Sequence, residues 1–362
     1  MIETKRPAFH PGVIIKDAID SLDMTQSEFA NRVGLSVKNV STLVNGESNI
    51  TFGVAIKLAT FFGNSVEGWL NLQTNYDLYL YREKQNKEYA EDWEISKKIS
   101  KEFIKKVLGI ELSNKFSTKN IDDLRRSFSV TSLSNLKRPD LYVFYHTSIN
   151  KEIDEEMMML RNAWISIAEQ KARNIRCSTF NKDKIIENQK KLRYLTTLAP
   201  EVFLPRLKDF CNSCGVKLVI LPYLSGSNVN GVTKWIDSED CALVAVNDCG
   251  KDADKFWFAL FHEFGHVIKN HKRHMTISLN KNDVLDGEEK EANEFVENLL
   301  IDKEKYNEFV KRNDFSISSI NSFAKQQGVA PFIVIGRLQK DKYIPWSKYK
   351  EQKVKYNISL YI

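Results

Sequence analysis

Hydrophobic residues recur three and four positions apart through the first 76 residues, a pattern typical of short amphipathic helices. The predicted helices span residues 12–22, 26–33, 37–44, 52–62 and 65–72. Thr25 and Ser36 precede the second and third helices as N-caps, and Gly34 can end the second with a positive φ. Glu28, three residues after Thr25, predicts a capping box. The core-facing side of the first helix is expected to consist of Val13, Ile14, Ala18, Ile19 and Leu22.

A longer stretch with fewer landmarks follows over residues 77–200. Helical spacing there predicts helices over residues 94–108, 119–128, 151–171 and 183–197. An apolar run over residues 141–145 predicts a strand that ends at His146, which we interpret as a core histidine rather than a ligand. No repeat or Gly/Ser-rich linker interrupts the stretch, so we expect it to pack as a helical connector.

Strands enter the pattern after residue 200. The predicted elements are a helix at 203–213, strands at 216–221 and 241–246, helices at 252–272 and 287–300, and short helices at 319–323 and 332–338. The segment 225–231 between the two strands is rich in Gly, Ser and Asn, which predicts a loop. The expected fold class is therefore mainly α with a small β-sheet, an α+β arrangement.

The 362 residues are enough for two or three domains. We divide the chain into a helical bundle (1–76), a connector (77–200), an α+β domain (201–345) and a C-terminal tail (346–362). No apolar run has the length of a membrane span or the form of a signal peptide. Five cysteines at irregular spacing are typical of a reduced protein, so a cytoplasmic location is expected, with no membrane contact.

The segment His262-Glu263-Phe264-Gly265-His266 carries the most specific chemical signal. On a helix, residues four apart share one face, so both imidazoles can point at a common centre. Two histidines in this arrangement can hold Zn²⁺, with Glu263 placed to take a proton from an attacking water. The alternative is a chance spacing on an amphipathic helix, which is the less favoured interpretation in a chain with six histidines.

A third zinc ligand is expected in the helix over residues 287–300. Glu288 and Glu289 both border the apolar stripe of that helix, whereas Glu291 is turned further away. A carboxylate that faces a core is costly unless it is paired or bound to a metal. Helical phase alone leaves Glu288 and Glu289 as alternatives.

The two motifs together, His-Glu-Phe-Gly-His and then Glu-x-x-Ala-Asn some twenty residues later, resemble those of the ImmA/IrrE-type metallopeptidases. The resemblance covers roughly residues 205–345. It implies a zinc endopeptidase in which His262, His266 and Glu289 bind Zn²⁺ and Glu263 is the general base. It also implies that Asn293, one turn after Glu289, orients a ligand. The sequence departs from the family after Leu300, where Ile301-Asp302 replaces the usual Met-Pro.

Residues 25–46, with two short helices joined by a Gly-containing turn, form a predicted helix-turn-helix. They resemble the Cro/CI-type DNA-binding domains, particularly the HigA-like antitoxin branch, over residues 8–76. The resemblance implies binding to a double-stranded DNA operator as a homodimer. It places Val40 and Leu43 inward, and assigns the DNA contacts to the groove-facing Val37, Lys38, Ser41 and Thr42 and the phosphate-facing Gln26 and Asn45.

Charge is distributed unevenly along the chain, whose net charge is +6. Residues 1–75 hold six basic and seven acidic side chains, so the bundle is nearly neutral. Residues 76–200 hold twenty-four basic and eighteen acidic side chains, which we interpret as solvated helix faces. The near-neutral bundle leaves open an alternative in which it serves only protein contacts.

One further motif, Cys211-x-x-Cys214, is compatible with a metal knuckle or a redox pair. The pair has no second CxxC to complete a zinc site, and it lies where a helix ends before a strand. We therefore interpret both cysteines as packing residues.

Taken together, the sequence predicts a DNA-binding transcriptional regulator joined to a zinc-dependent endopeptidase. The substrate would be a regulatory protein: a partner repressor, a toxin–antitoxin component or the chain itself. The alternative is a HigA-like antitoxin and autorepressor whose zincin domain binds a toxin partner and cleaves nothing. The presence of Glu263 favours the enzyme, because a purely structural zinc site has no use for a general base.

Overall fold

The computed structural model describes residues 8–139, 141, 154–236, 238, 240–269, 276–279 and 287–358. Contacts between Cα atoms divide the chain into two units, residues 1–93 and 94–362. The predicted mainly α fold with a small β-sheet is confirmed. The predicted strand at 141–145 lies outside the described residues except for Leu141, and His146 lies outside them as well.

The described part of unit one, from residue 8 on, contains five helices: α1 (Pro11–Ser21), α2 (Gln26–Val33), α3 (Val37–Val44), α4 (Phe52–Phe62) and the first part of α5 (Val66–Ser96). The predicted caps are confirmed. Thr25 Oγ1 accepts a hydrogen bond from Glu28 N at 3.1 Å, and Gly34 ends α2 with φ 66°. The Glu28 carboxylate pairs with Arg32 at 2.6 Å, so only the Thr25 half of the predicted capping box is observed.

The predicted core side of α1 is partly wrong. Val13, Ile14 and Leu22 are exposed to 44%, 44% and 51%, whereas Ile19 is buried as predicted and Ile15, which was not predicted, is buried as well. The cause is the close approach of α1 to α3. A Cβ on Gly12 would lie 1.9 Å from the carbonyl oxygen of Leu43, so α1 can approach α3 only along the side that Gly12 and Ile15 share. A hydrophobic pattern does not register glycine, so it could not reveal the close approach at Gly12. Val13 and Ile14, which lie next to the buried side, were therefore predicted as core residues.

Two predicted helix boundaries near the end of unit one are also wrong. The helix predicted to end at residue 72 continues as α5 to Ser96, because no Gly or Pro interrupts residues 69–96. The single helix predicted over 94–108 is divided, and α6 begins at Lys101 after Ser100, whose side chain caps it at Phe103 N.

The described residues of unit two form the following α-helices and strands before the C-terminal part: α6 (Lys101–Leu108), α7 (Thr118–Ser127), α8 (Glu155–Arg173), α9 (Lys182–Glu187), α10 (Gln189–Leu195), α11 (Pro200–Ser213), β1 (Val216–Leu221), β2 (Val229–Ile236), β3 (Cys241–Asn247), α12 (Ala253–Ile268), β4 (Thr276–Leu279) and α13 (Gly287–Leu300). The remaining helices are α14 (Lys303–Lys311), α15 (Ile317–Gln327) and α16 (Pro331–Lys340). The helix predicted over 183–197 is two helices, α9 and α10, which meet at Asn188. β2, β4 and α14 were not predicted.

The four strands form one sheet in the order β1-β3-β2-β4, in which β1 and β3 are parallel and the other pairs are antiparallel. Successive side chains of a strand point to opposite faces. Leu218 and Ile220 of β1 therefore join the core on the α12 side, and Val219 and Leu221 join the core on the α8 side. The sheet thus lies between α12 and α8.

Residues after α16 return to the start of α12. Val354 O accepts a hydrogen bond from Ala253 N at 3.0 Å, and Tyr356 OH lies 3.1 Å from the indole Nε1 of Trp257. Tyr356 is only 3% exposed. This segment therefore belongs to the same core as α12. Among the described helices, none is long and apolar enough to cross a membrane.

Candidate functional site

Helix α12 carries the His-Glu-Phe-Gly-His motif and packs on the face of the sheet opposite α8. Its apolar residues Trp257, Leu260, Phe261 and Phe264 are all at most 1% exposed, which fixes the rotation of the helix about its axis. The motif lies in the last two turns of α12, so its orientation follows from this packing.

The two histidines converge as predicted. The Nε2 atoms of His262 and His266 lie 3.1 Å apart, with His266 fully buried and His262 half-buried. Two Zn–N bonds of about 2.0–2.1 Å at a tetrahedral angle span about 3.3 Å between nitrogens. The separation and the chemistry of this donor pair therefore fit a zinc ion.

The third ligand was predicted on α13, whose observed bounds match the predicted ones. The side chains of Glu288 and Glu289 lie outside the described residues, so the choice between them stays a prediction. Asn293 is half-buried one turn later. Among the side chains that the structure describes, no group of three metal-ligating residues occurs.

The backbones of α12 and α13 approach each other closely at the motif. A Cβ on Gly265 would lie 3.0 Å from Ala292 Cα, a distance that real side chains rarely tolerate. Gly265 between the histidines therefore allows α13 to lie against them. The end of α13 is held by Arg193 of α10, which donates to the carbonyl oxygens of Leu299 at 2.5 Å and Asn298 at 2.9 Å.

Glu263 lies against β2, which the sequence did not predict. Its carboxylate is fully buried, and Oε2 accepts a hydrogen bond from Thr233 Oγ1 at 2.6 Å. A Cβ on Gly231 would lie 2.4 Å from Glu263 Oε1, so only glycine leaves room for the carboxylate there. A glycine within a strand often marks such an approach, and Gly231-x-Thr233 is the signal that could have identified both residues.

The structure places Cys211 and Cys214 in the apolar core beside β1, where they are 1% and 0% exposed. Both are free, and burial raises the pKa of each thiol. A raised pKa disfavours the thiolate that metal binding and disulfide exchange require. These observations agree with packing as their role.

Helix α3 of unit one presents the predicted polar face. Val40 and Leu43 are 0% and 3% exposed and face the core, as predicted. Val37 and Lys38 are exposed and Ser41 is half-exposed, and the remaining predicted contact residues are the half-exposed Thr42 and the exposed Gln26 and Asn45. The Thr42 hydroxyl donates to Asn39 O at 3.1 Å and lies 3.0 Å from Ser48 Oγ, which fixes its orientation.

Comparison with known families gives two matches in this chain. Residues 15–69 match the helix-turn-helix family model, and residues 211–337 match the model of the IrrE N-terminal-like domain. The second range includes β1 to β4, α12 and α13 and therefore the whole candidate metal site.

Individual relatives match smaller parts of the chain. The HTH-type transcriptional regulator YddM of Escherichia coli K12 is 37% identical over 68 residues, which are 19% of this chain and 72% of that protein. Antitoxin HigA-1 of Vibrio cholerae is 36% identical over 89 residues, 24% of this chain and 84% of the antitoxin.

Solved structures give similar matches. Pseudomonas aeruginosa antitoxin HigA, solved with the higBA promoter, is 30% identical and matches 23% of this chain and 89% of its own, with a TM-score of 0.22. An antidote protein of the HigA family from Coxiella burnetii is 35% identical. The match covers 24% of this chain and 95% of that protein, with a TM-score of 0.23. The two family models and the relatives YddM and antitoxin HigA-1 show that the chain belongs to the helix-turn-helix regulators related to HigA and carries an IrrE N-terminal-like domain in its second unit.

Proposed function

We propose that this protein is a cytoplasmic DNA-binding transcriptional regulator whose second unit is a zinc-dependent endopeptidase. The observation that carries the proposal is the arrangement on α12: two imidazole Nε2 atoms lie 3.1 Å apart, and the residue that follows His262 in the chain is the fully buried Glu263. A buried carboxylate is costly, and a structural zinc site has no need of one next to its ligands.

Each residue of this site has a defined task in peptide hydrolysis. His262, His266 and Glu289 bind Zn²⁺, and Asn293 orients a ligand. The metal, when bound, supplies a water of lowered pKa and a polarised peptide carbonyl. Glu263 accepts the proton of the attacking water on its carboxylate and passes it to the leaving amine. The substrate is a regulatory protein: a partner repressor, a toxin–antitoxin component or this chain.

Unit one binds the operator in this proposal. Helix α3 enters the major groove with Val37, Lys38, Ser41 and Thr42, while Gln26 and Asn45 contact phosphates. The support is the inward packing of Val40 and Leu43, which turns the polar side of α3 outward. A homodimer on a two-fold symmetric operator is the arrangement that helix-turn-helix proteins use.

A second candidate function is a HigA-like antitoxin and autorepressor whose IrrE-like domain binds a toxin partner without cleaving it. The match that spans 84% of antitoxin HigA-1 favours it. The two candidates differ in one property, which is the need for the Glu263 carboxylate.

Glu263→Gln separates them. The change keeps the size and the hydrogen bond to Thr233 but removes the proton acceptor, so cleavage should fall about a hundredfold or more. The assay is a promoter reporter in the native host under inducing conditions, with immunoblots of this protein and of the product of the neighbouring gene. Glu294→Gln, an exposed glutamate of α13, is the matched control and should behave as wild type.

The two outcomes are distinct. Derepression and a cleavage product that occur in wild type and in Glu294→Gln but not in Glu263→Gln support the peptidase. Identical reporter curves in all three strains, with no cleavage product, contradict it and support the antitoxin.

A further inference from the structure

A groove of about 420 Å³ lies between α10 and α11, and neither His262 nor His266 lines it. Its floor and walls are apolar: Leu192 and Leu195 are 1% and 7% exposed, Phe210 is half-buried, and Tyr194 stands 55% exposed at the side. Pockets for small ligands typically have volumes of about 300–1,000 Å³ and predominantly apolar linings. The groove has the size and the surface of such a pocket.

Three cationic side chains border this groove. Lys190 and Lys191 come from α10 and Arg206 comes from α11, so the charges stand on both sides. All three residues are exposed, and their stems can line apolar surface while the charged ends stay in water. Helix α10 has the sequence QKKLRYL, which contains no acidic residue. The rim of the groove is therefore positively charged.

Both helices that form the groove, α10 and α11, are held in place by contacts with the rest of unit two. Arg193 ties α10 to the end of α13, and Thr196 Oγ1, directly after α10, accepts a hydrogen bond from Ala330 N at 3.0 Å. Helix α11 packs through Phe203, Leu204 and Leu207 into the core beside β1. An anchored groove needs little ordering when a ligand enters, and this lowers the free-energy cost of binding.

We propose that this groove binds an amphiphilic organic anion, a carboxylate with an aliphatic or aromatic body. The body lies on Leu192, Leu195 and Phe210, and the carboxylate lies between the cations of the two helices. Charge complementarity supports an anion, and the apolar lining supports a large hydrocarbon part. A bound peptide helix needs anchors at positions i, i+4 and i+7 along an extended groove. A volume of about 420 Å³ suits one compact apolar group better.

Dodecanoate is the probe for a first test on the full chain. Isothermal titration calorimetry below the micelle-forming concentration should show saturable binding to the wild type at one site. Replacing Lys190, Lys191 and Arg206 together by Gln keeps the stems and removes the charges. The affinity should then fall about tenfold, since each exposed ion pair contributes a few-fold. Saturable binding that is equal in this variant, or absent in the wild type, overturns the proposal.

The matched control removes three lysines from exposed positions of α14, Lys303, Lys305 and Lys311, and should bind dodecanoate as the wild type does. A second variant, Tyr194→Glu, places a carboxylate in the wall of the groove at an exposed position that tolerates substitution. It should abolish binding and leave the circular dichroism spectrum unchanged. Unchanged binding by Tyr194→Glu contradicts the site. Binding of an acidic leucine-containing peptide that Tyr194→Glu abolishes, without dodecanoate binding, assigns the groove to a peptide instead.

Discussion

At the scale of single residues, the contact between Glu263 and β2 connects fold and chemistry. Thr233 donates to Oε2, and Gly231 leaves the space beside Oε1. The strand therefore determines the rotamer of the Glu263 carboxylate. Sequence reasoning identified Glu263 from its motif. The Gly231-x-Thr233 signal has meaning only within β2, and the sequence predicted a loop over residues 225–231 and no strand between that loop and residue 241.

Thr233→Val should destabilise the second unit. Valine has nearly the same shape but no hydroxyl, so the buried Oε2 loses a hydrogen bond, which costs about 1–3 kcal/mol. Urea unfolding followed by tryptophan fluorescence should show this loss in the free energy of unfolding. Thr233→Ser keeps the donor and is the control, with a smaller loss. Equal unfolding of Thr233→Val and wild type would show that the bond does not stabilise the fold.

His10 is a second residue with a measurable consequence. Its Nδ1 accepts a hydrogen bond from Gly12 N at 2.9 Å at the start of α1, and the ring is 8% exposed. Burial lowers the pKa of His10, an effect that Asp77 opposes in part. The folded state therefore binds this proton less readily than the unfolded state, whose pKa is about 6.5. The stability that His10 contributes is complete above that pKa and is lost as the pH falls through the folded-state pKa.

NMR titration of the His10 ring in the full chain should therefore give a pKa below about 6.5. His10→Asn keeps a good N-cap residue without the titrating group, so unit one should lose less stability in this variant when the pH falls from 7.5 to 5.5. A measured pKa above the unfolded value, or the same pH dependence in both proteins, would show that burial does not set this titration.

At the scale of elements, the sequence predicted most of the helices that begin with an N-cap and keep one apolar stripe. The bounds of α2, α3, α4, α13 and β1 agree with the structure to the residue. The failures have physical causes. β2 begins with a Val-Asn-Gly sequence that is typical of a turn, and its polar Thr233 faces Glu263 rather than solvent. After Gly68 in its first turn, α5 contains no further Gly or Pro that would have marked an earlier end.

Helix α3 is the element on which the DNA-binding proposal depends. Lys38→Ala with Thr42→Ala should weaken operator binding about tenfold or more, because each lost contact to a base or phosphate costs roughly 1 kcal/mol or more. Footprinting or fluorescence anisotropy at fixed salt measures the effect. Lys16→Ala with Thr60→Ala removes the same residue types from exposed positions of α1 and α4 and should bind as wild type. Equal footprints for all three proteins would exclude α3 as the recognition helix.

At the scale of the whole molecule, the folded second unit extends beyond the range that matches the IrrE-like family. Helix α8 precedes that range and covers one face of the sheet, where Ala163, Trp164 and Ile167 are fully buried. Tyr356 and Ile358 follow it and are buried beside α12. The sequence predicted a helix over residues 151–171 but did not predict that either segment packs against this core. Their burial depends on contacts with elements far away in the chain. Deletions designed from the family range alone would therefore expose both faces of this core.

The central claim is that α12 and α13 hold one zinc ion, and elemental analysis of the purified full chain tests it most directly. The wild type should contain about one zinc per chain, and His266→Ala should contain none. Glu263→Gln should keep the metal, because Glu263 is not a ligand. Glu289→Gln should lose far more zinc than Glu288→Gln. Wild-type protein without zinc after expression with the metal supplied, or His266→Ala that retains it, would contradict the account.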